Sequence, residues 1–338
     1  MERLADDHVI RITDLTKRYG DLVAVDAISL SVDRGEVFGI LGPNGAGKTT
    51  TLEMLEGLRE PDGGRVVIDG LDVWPHPKEV KRRIGVQLQA TALFDFQRLH
   101  EIIYIFGSCY GIYRSRTECV ALLERVGLEE KADAYADQLS GGQAQRLSIA
   151  LALVNDPIVT ILDEPTTGLD PRARRALWDV IKEINRDGTT VVLTTHYMEE
   201  AERLCDRVAV MDLGHIKALD APRSLINALG AEATISFDLS EPVAEDDLCA
   251  LDGATGCRAV EEGYEVVAAD AQRAVVSLLG MAQQKGLRVK HLDVKGADLE
   301  DVFLSMTGRK LSDEDEQAAD EAPAGKRRRR FGLGGGGS

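Results

Sequence analysis

Gly42-Pro43-Asn44-Gly45-Ala46-Gly47-Lys48-Thr49-Thr50 is the stretch from which the fold is read. It fits G-x-x-x-x-G-K-[ST] without a mismatch, follows the apolar run Val37 to Leu41, and opens a helical stretch, Lys48 to Glu56. Glycines let a backbone curl until several N–H groups point at one phosphate group. The helix beginning near Lys48 adds its positive end. Lys48 supplies a mobile cation for β and γ phosphates, and the Thr49 hydroxyl is a hard oxygen ligand for Mg2+. A nucleoside triphosphate loop set between a buried strand and a helix predicts an α/β fold.

The rest of such a site belongs at the end of another buried strand. Val159-Thr160-Ile161-Leu162-Asp163-Glu164 supplies it. Asp163 is placed to hold Mg2+ through water, and Glu164, one residue further, to act as general base on an attacking water. Upstream, Leu139-Ser140-Gly141-Gly142-Gln143 precedes a helical stretch, Ala144 to Val154. A serine and two glycines at a helix start make a second anion site. One triphosphate already wrapped by Lys48 has no use for it. Two chains meeting head to tail do, each offering Ser140 and Gly142 to the other's γ-phosphate. Read alone, the same residues are an ordinary serine N-cap with a tight turn.

Working outward, 338 residues suggest two domains. Residues 1–230 alternate strand-like and helix-like stretches, including strands Ile158 to Leu162 and Thr189 to Thr195 and a helix Ala173 to Ile184. Residues 231–310 read as strand Thr234 to Leu239, helix Val243 to Ala250, strands Cys257 to Glu261 and Tyr264 to Ala268 about a Glu262-Gly263 turn, helix Ala271 to Gln284 and strand Leu287 to Val294. That order, βαββαβ, is the order of a ferredoxin-like α+β unit. A helix Leu299 to Met306 ends at Gly308. Residues 311–338 form a charged, Gly-rich tail that reads as disordered.

Hydrophobic residues make up 44% and charged residues 29%, ordinary for a globular chain. The formal charge is −17, shared as −9 over 1–230, −7 over 231–310 and −1 over the tail. Such an acidic body excludes nucleic acid as a bulk partner, which needs a basic face. The longest apolar run, Leu147 to Val154 with Ser148 inside it, falls far short of the ~18 residues needed to span a bilayer. No apolar leader opens the chain. The five cysteines include no CxxC pair and are odd in number, which predicts small buried thiols in a reducing cytosol. The basic run Lys326 to Arg330 allows weak contact with an anionic membrane surface, at about 1 kcal/mol per residue, unless the acidic residues before it keep it solvated.

These motifs together resemble the ATP-binding cassette of ABC transporters. The resemblance covers residues 8 to about 228. It implies a RecA-like core with a β-subdomain and a helical subdomain, ATP and Mg2+ as cofactors, and dimeric action with a second copy or a paralogous cassette. Further residues fall in the family's order. Tyr19, in Lys17-Arg18-Tyr19-Gly20, matches the aromatic that stacks on adenine. Gln89, in Arg83-Ile84-Gly85-Val86-Gln87-Leu88-Gln89, matches the glutamine of the Q-loop and a metal-side ligand; spacing from Ile84-Gly85 favours it over Gln87. Gly168-Leu169-Asp170 resembles the D-loop, acting in trans with Ser140, Gly141, Gly142 and Gln143. His196 resembles the switch histidine on the γ-phosphate and, with Glu164 and Lys48, completes the catalytic set.

Thr194-Thr195-His196-Tyr197-Met198-Glu199-Glu200-Ala201-Glu202 and Asp298-Leu299-Glu300-Asp301-Val302-Phe303-Leu304 resemble exporters of the ABC-2 and drug-resistance type. This implies a separate integral membrane permease, export of a drug, antibiotic, lipid or other amphiphile, and a cytoplasmic location at the inner face of the membrane. Arg98-Leu99-His100-Glu101 departs from the Thr-Val-x-Glu of many relatives, in a region the family turns toward the permease. Importer ATPases share the core motifs but not the accessory unit. Soluble ABC ATPases of translation or repair carry two cassettes or a long coiled-coil insertion, neither of which is found here.

Overall fold

The computed structural model describes residues 8–87, 96–230, 232–260 and 263–308. Gln89, the Glu262 half of the expected turn and the whole charged tail, with Lys326 to Arg330, lie outside the described residues.

Two long strands open the described part of the chain, β1 (His8–Tyr19) and β2 (Leu22–Asp33), followed by the short β3 (Val37–Leu41). After the glycine loop come α1 (Lys48–Leu55), β4 (Gly63–Ile68), β5 (Leu71–Asp72), α2 (Pro77–Val80) and β6 (Ile84–Val86). A helical block follows, with α3 (Leu99–Cys109), α4 (Arg116–Glu124) and α5 (Gly141–Ala152). The chain then alternates β7 (Val159–Asp163), α6 (Pro171–Arg186), β8 (Thr190–Thr195), α7 (Met198–Leu204), β9 (Arg207–Asp212), β10 (His215–Asp220) and α8 (Pro222–Ala228).

The six-stranded sheet runs β10-β9-β3-β8-β7-β6, parallel except for the edge pair β10–β9. Its middle strands are apolar on both faces, as a sheet covered on both sides requires. Phe38, Ile40, Val159, Ile161 and Val192 pack toward one core, with α1 and the antiparallel sheet β2-β1-β4-β5. Val37, Leu41, Leu162, Val191 and Leu193 pack toward another, among the helices. The alternation of neighbours between two cores is the period of two expected of a strand.

Helix α5 begins three residues before the expected Ala144. Ser140 Oγ accepts the Gln143 N–H, and the Gln143 side chain accepts the Ser140 N–H. This capping box satisfies donors that a helix start leaves open, so Gly141 and Gly142 form the first turn despite their poor helix propensity. Helix α6 buries Leu177, Trp178, Ile181 and Ile184, one stripe at helical spacing, and starts on the Asp170 cap with Pro171 in its first turn.

The C-terminal unit comprises β11 (Ala233–Leu239), α9 (Glu245–Cys249), β12 (Ala254–Val260), β13 (Gly263–Ala268), α10 (Ala271–Lys285) and β14 (Val289–Lys295). Its sheet is antiparallel throughout, ordered β12-β13-β11-β14. Ile235, Phe237, Val266, Leu278 and Leu248 form a separate small core. Helix α11 (Leu299–Thr307) then returns to the larger body. It buries Leu299, Val302 and Phe303 in the core that holds Ala201 and Leu204 of α7 and Leu225 of α8.

The cysteine expectation needs correction. Cys249 and Cys257 form a disulfide, because α9 ends against β12 and brings their Cα atoms within 5.3 Å. Cys119 and Cys205 are buried thiols as expected, but Cys109 is exposed. The cysteines therefore carry no argument for a reducing compartment. No helix among the described residues is long and apolar enough to cross a membrane.

Phe303 is fully buried where α11 meets the larger body. Phe303→Ala should lower the unfolding free energy by about 3–5 kcal/mol in urea or guanidinium titrations.

Candidate nucleotide site

The glycine loop follows β3 and is fixed from both sides. The Gly42 N–H donates to Thr195 O at 3.3 Å, and the Gly214 N–H donates to Ala46 O at 3.0 Å. A side chain at Gly42 would bring its Cβ to 2.1 Å from Met211 O, so only glycine passes between β3 and β9 there. Gly45 and Gly47 take φ values of +80° and +102°, the left-handed region that glycine alone enters without strain. Gly47 leads into α1 as its N-cap, which leaves the first N–H groups of the helix free for an anion. Pro43, Asn44, Gly45, Gly47, Lys48, Thr49 and Thr50 line a cavity of about 250 Å³ with Tyr19 and Glu164. Ala46 is buried beneath the loop.

Lys48 is 4% exposed. Its Nζ donates to Gly42 O at 2.8 Å and Pro43 O at 3.1 Å, and lies 3.3 Å from Glu164 Oε1. The other oxygen, Glu164 Oε2, lies 3.3 Å from His196 Nδ1 and accepts from Thr167 Oγ1 at 3.1 Å. The site thus brings together the three residues read as catalytic: Lys48 at the start of α1, Glu164 just past β7 and His196 just past β8. The His196 contact, the Lys48 charge and the Thr167 hydroxyl outweigh burial and hold the Glu164 carboxyl at about 2. Glu164 also has φ +46°, an uncommon conformation for a residue with a side chain.

Thr194 holds the backbone at this point. Its hydroxyl accepts the Glu164 N–H at 3.0 Å and donates to Asp163 Oδ1. This residue was not singled out from the sequence. Its signal is a polar side chain in the buried strand Thr190–Thr195, level with Asp163 across the sheet.

On the metal side, Thr49 Oγ1 donates to Asp163 Oδ2 at 3.3 Å. A hydroxyl and a carboxylate oxygen side by side are hard donors, and they fit Mg2+, which keeps several of its waters. Gln87, the glutamine passed over on spacing, is 6% exposed and has a buried Oε1 without a hydrogen-bond partner among the described residues. With Thr49, Glu53, Glu56 and Asp163 it lines a cavity of about 200 Å³. Burial, reinforced by Asp163 and Glu53, pushes the Glu56 carboxyl up to about 7.

Tyr19 ends β1 and is 40% exposed, with the Arg59 guanidinium 5.2 Å from its ring centre. Ser140, Gly141, Gly142 and Gln143 stand at the start of α5 and are not in the lining of the cavity around Lys48. Ser140 and Gly141 face solvent. Asp170 caps α6, its Oδ1 accepting from Arg172 and Ala173 N–H groups at 2.9 Å.

The family model for ABC transporters matches residues 25–167. The Nod factor export ATP-binding protein I of Ralstonia nicotianae is 42% identical over 311 residues, covering 90% of this chain and 95% of that protein. The protein of the same name from Burkholderia orbicola is 41% identical, with 90% and 98% covered. Among solved structures, cbiO1 of Clostridium perfringens, part of the ABC transporter complex cbiONQ, aligns with TM-score 0.61 and 29% identity over 66% of this chain and 92% of its own.

Glu56 yields a test in nucleotide-free buffer. Its carboxyl is held up to about 7 when folded, against 4.5 as its ordinary value. Between these pH values the folded chain binds the extra proton, so stability falls as pH rises through this window, and the full cost stands above it. Glu56→Gln removes that cost. It should raise the unfolding free energy by about 3 kcal/mol at pH 8, shrinking toward zero near pH 4.5, in urea titrations at both pH values.

Proposed function

Because the chain belongs to the ATP-binding subunits of ABC transporters, we propose that it works as a pair of cassettes, a homodimer or one with a paralogue, driving a separate membrane permease that exports an amphiphile. The observation that carries the ATPase reading is the meeting of Lys48, Glu164 and His196 beside the glycine loop. The similarity to proteins named for Nod factor export supports the export reading. It extends over 311 residues, and so past the cassette of 1–230 into the accessory unit of 231–310. A drug, lipid or other amphiphilic cargo is the substrate class that fits an exporter of this type.

The geometry gives each residue a task. Lys48 is shared among two carbonyls and the Glu164 carboxylate. Triphosphate oxygens carry more charge than one carboxylate, so ATP draws the ammonium toward its β and γ phosphates. Glu164 then loses a counter-charge, and its affinity for a proton rises from the very low value that Lys48 and His196 impose. It accepts a proton from water as that water attacks the γ-phosphorus and the bond from the γ-phosphorus to the bridging oxygen breaks, releasing ADP and phosphate. His196 supplies a polar contact to the γ-phosphate as charge builds up there. Thr49 and Asp163 would hold Mg2+, with Gln89 as a further ligand in this reading; the ion neutralises phosphate charge when bound. Tyr19 stacks on adenine. Ser140, Gly141, Gly142, Gln143 and Asp170 act on the nucleotide of the opposite cassette, which accounts for an anion-binding helix start away from Lys48. The chain sits at the cytoplasmic face of the membrane through its permease.

Glu164→Gln should keep ATP affinity within about threefold while steady-state hydrolysis falls about 100-fold or more; unchanged turnover would sink the base assignment. Lys48→Ala should weaken ATP binding by roughly 10- to 100-fold in an equilibrium titration, the scale of one charged hydrogen bond. Affinity capture of the full chain from membranes should recover an integral membrane protein. Recovery of ribosomes or DNA instead would overturn the transport reading.

A further inference from the structure

One buried acid has no task in the chemistry above. Glu200, on α7, has no exposed surface. Its Oε1 accepts a 3.0 Å hydrogen bond from Trp178 Nε1 on α6. Among the described residues its Oε2 has no hydrogen bond of good geometry, nor do the buried Thr166 Oγ1 and Arg174 Nε, although the Thr195 and Thr166 hydroxyls and Arg174 lie close enough to act on the carboxyl. Burial favours the protonated form, opposed by Thr195, Trp178, Thr166 and the Arg174 charge. A carboxylate shut away from water with one well-made bond is costly to keep. An aliphatic residue of similar volume would fill the space at less cost.

The value of Glu200 lies in what it joins. Trp178 and Arg174 stand on α6, the helix that begins at the Asp170 cap. Thr166 lies between Glu164 and Asp170 in the chain. Glu200 follows His196 by about one helical turn. A second contact ties the same two segments, since the Arg174 guanidinium lies 4.0 Å from the Tyr197 ring centre. The Tyr197 ring in turn lies 4.1 Å from the His196 ring. The Arg203 guanidinium on α7 also lies 5.6 Å from the Trp178 ring centre. The segment carrying His196 and the helix carrying Asp170 are therefore clasped at three points, and among the described residues the Glu200–Trp178 clasp is the buried one of the three.

We propose that Glu200 is a positioning residue: bonded to Trp178, its carboxylate holds the His196 loop at a set place relative to α6 and aligns His196 for hydrolysis without touching nucleotide. The assignment rests on reading His196 as a partner of the γ-phosphate. A merely structural residue would change folding and ATP affinity together with turnover, whereas a positioning residue separates them.

The test uses the full chain with Glu200→Leu, Glu200→Gln and Trp178→Phe, measuring thermal melting, ATP affinity and kcat for ATP hydrolysis. Glu200→Leu should lower kcat at least about tenfold with ATP affinity within about twofold. Glu200→Gln still offers an oxygen to Trp178 and should recover kcat to within about threefold of the parent. Trp178→Phe should reproduce the loss seen with leucine. Parental kcat in a folded Glu200→Leu chain overturns the proposal, as does a loss of kcat that only tracks lost melting temperature and ATP affinity. If Glu200→Leu does not fold, the contrast between Trp178→Phe and Glu200→Gln decides on the same criteria. A parent chain that neither binds nor hydrolyses ATP overturns the ATPase reading and this assignment with it. A parent that hydrolyses ATP while all three variants match it overturns this assignment alone.

Discussion

The register of three parallel strands is the constraint from which the site follows. Leu41 of β3 pairs with Thr195 of β8, and Thr194 pairs with Asp163 of β7. The strands therefore end level, and the loops that leave them carry Lys48, Glu164 and His196 to one place. Because successive side chains point to opposite faces, a slip of one residue would turn Asp163 away from Thr49. The slip is prevented by burial on both faces: Phe38 and Ile40 belong to one core, Val37 and Leu41 to the other. The chemistry is held in place by apolar packing several ångströms away from it.

An acidic chain binds a polyanion here without a basic surface. Lys48 is withdrawn from water and aimed by two carbonyls, and backbone N–H groups around Gly45 and Gly47 supply partial charge that adds nothing to the formal total. A charge of −17 spread over a large surface is screened within about 8–10 Å at ordinary salt. The local field around one buried lysine is not screened to that degree.

What was legible in the sequence was what the backbone itself dictates. Gly42 and Gly47 admit no other residue without collision or strain, so the loop is written in residue types. Asp163 and Glu164 end a run of buried residues, and that break in polarity marks a strand end. Features that need two distant segments side by side were not legible. Cys249 and Cys257 are close in sequence, yet their pairing depends on how α9 lies against β12. Thr194 reads as one of several β-branched residues until Asp163 is seen beside it. Glu200 and Trp178 stand 22 positions apart on different helices, and their contact exists only through tertiary packing. Ser140 was readable as an N-cap, but two glycines argue against a helix, and that α5 runs through them follows from the reciprocal Ser140–Gln143 bonds that only placed side chains reveal.

Helix α11 lies against α7 and α8, and its Leu299 N–H donates to Glu202 Oε1 at 2.9 Å. The chain leaves the large body just after α8 and comes back to it at α11, so the departure and return points are neighbours. In polymer terms the small antiparallel unit is a closed excursion whose ends are pinned together by the core. Lengthening such an excursion costs only about 0.6 kcal/mol per doubling. The segment between the two pins is therefore free to vary in size and content while the packing around Phe303 stays the same.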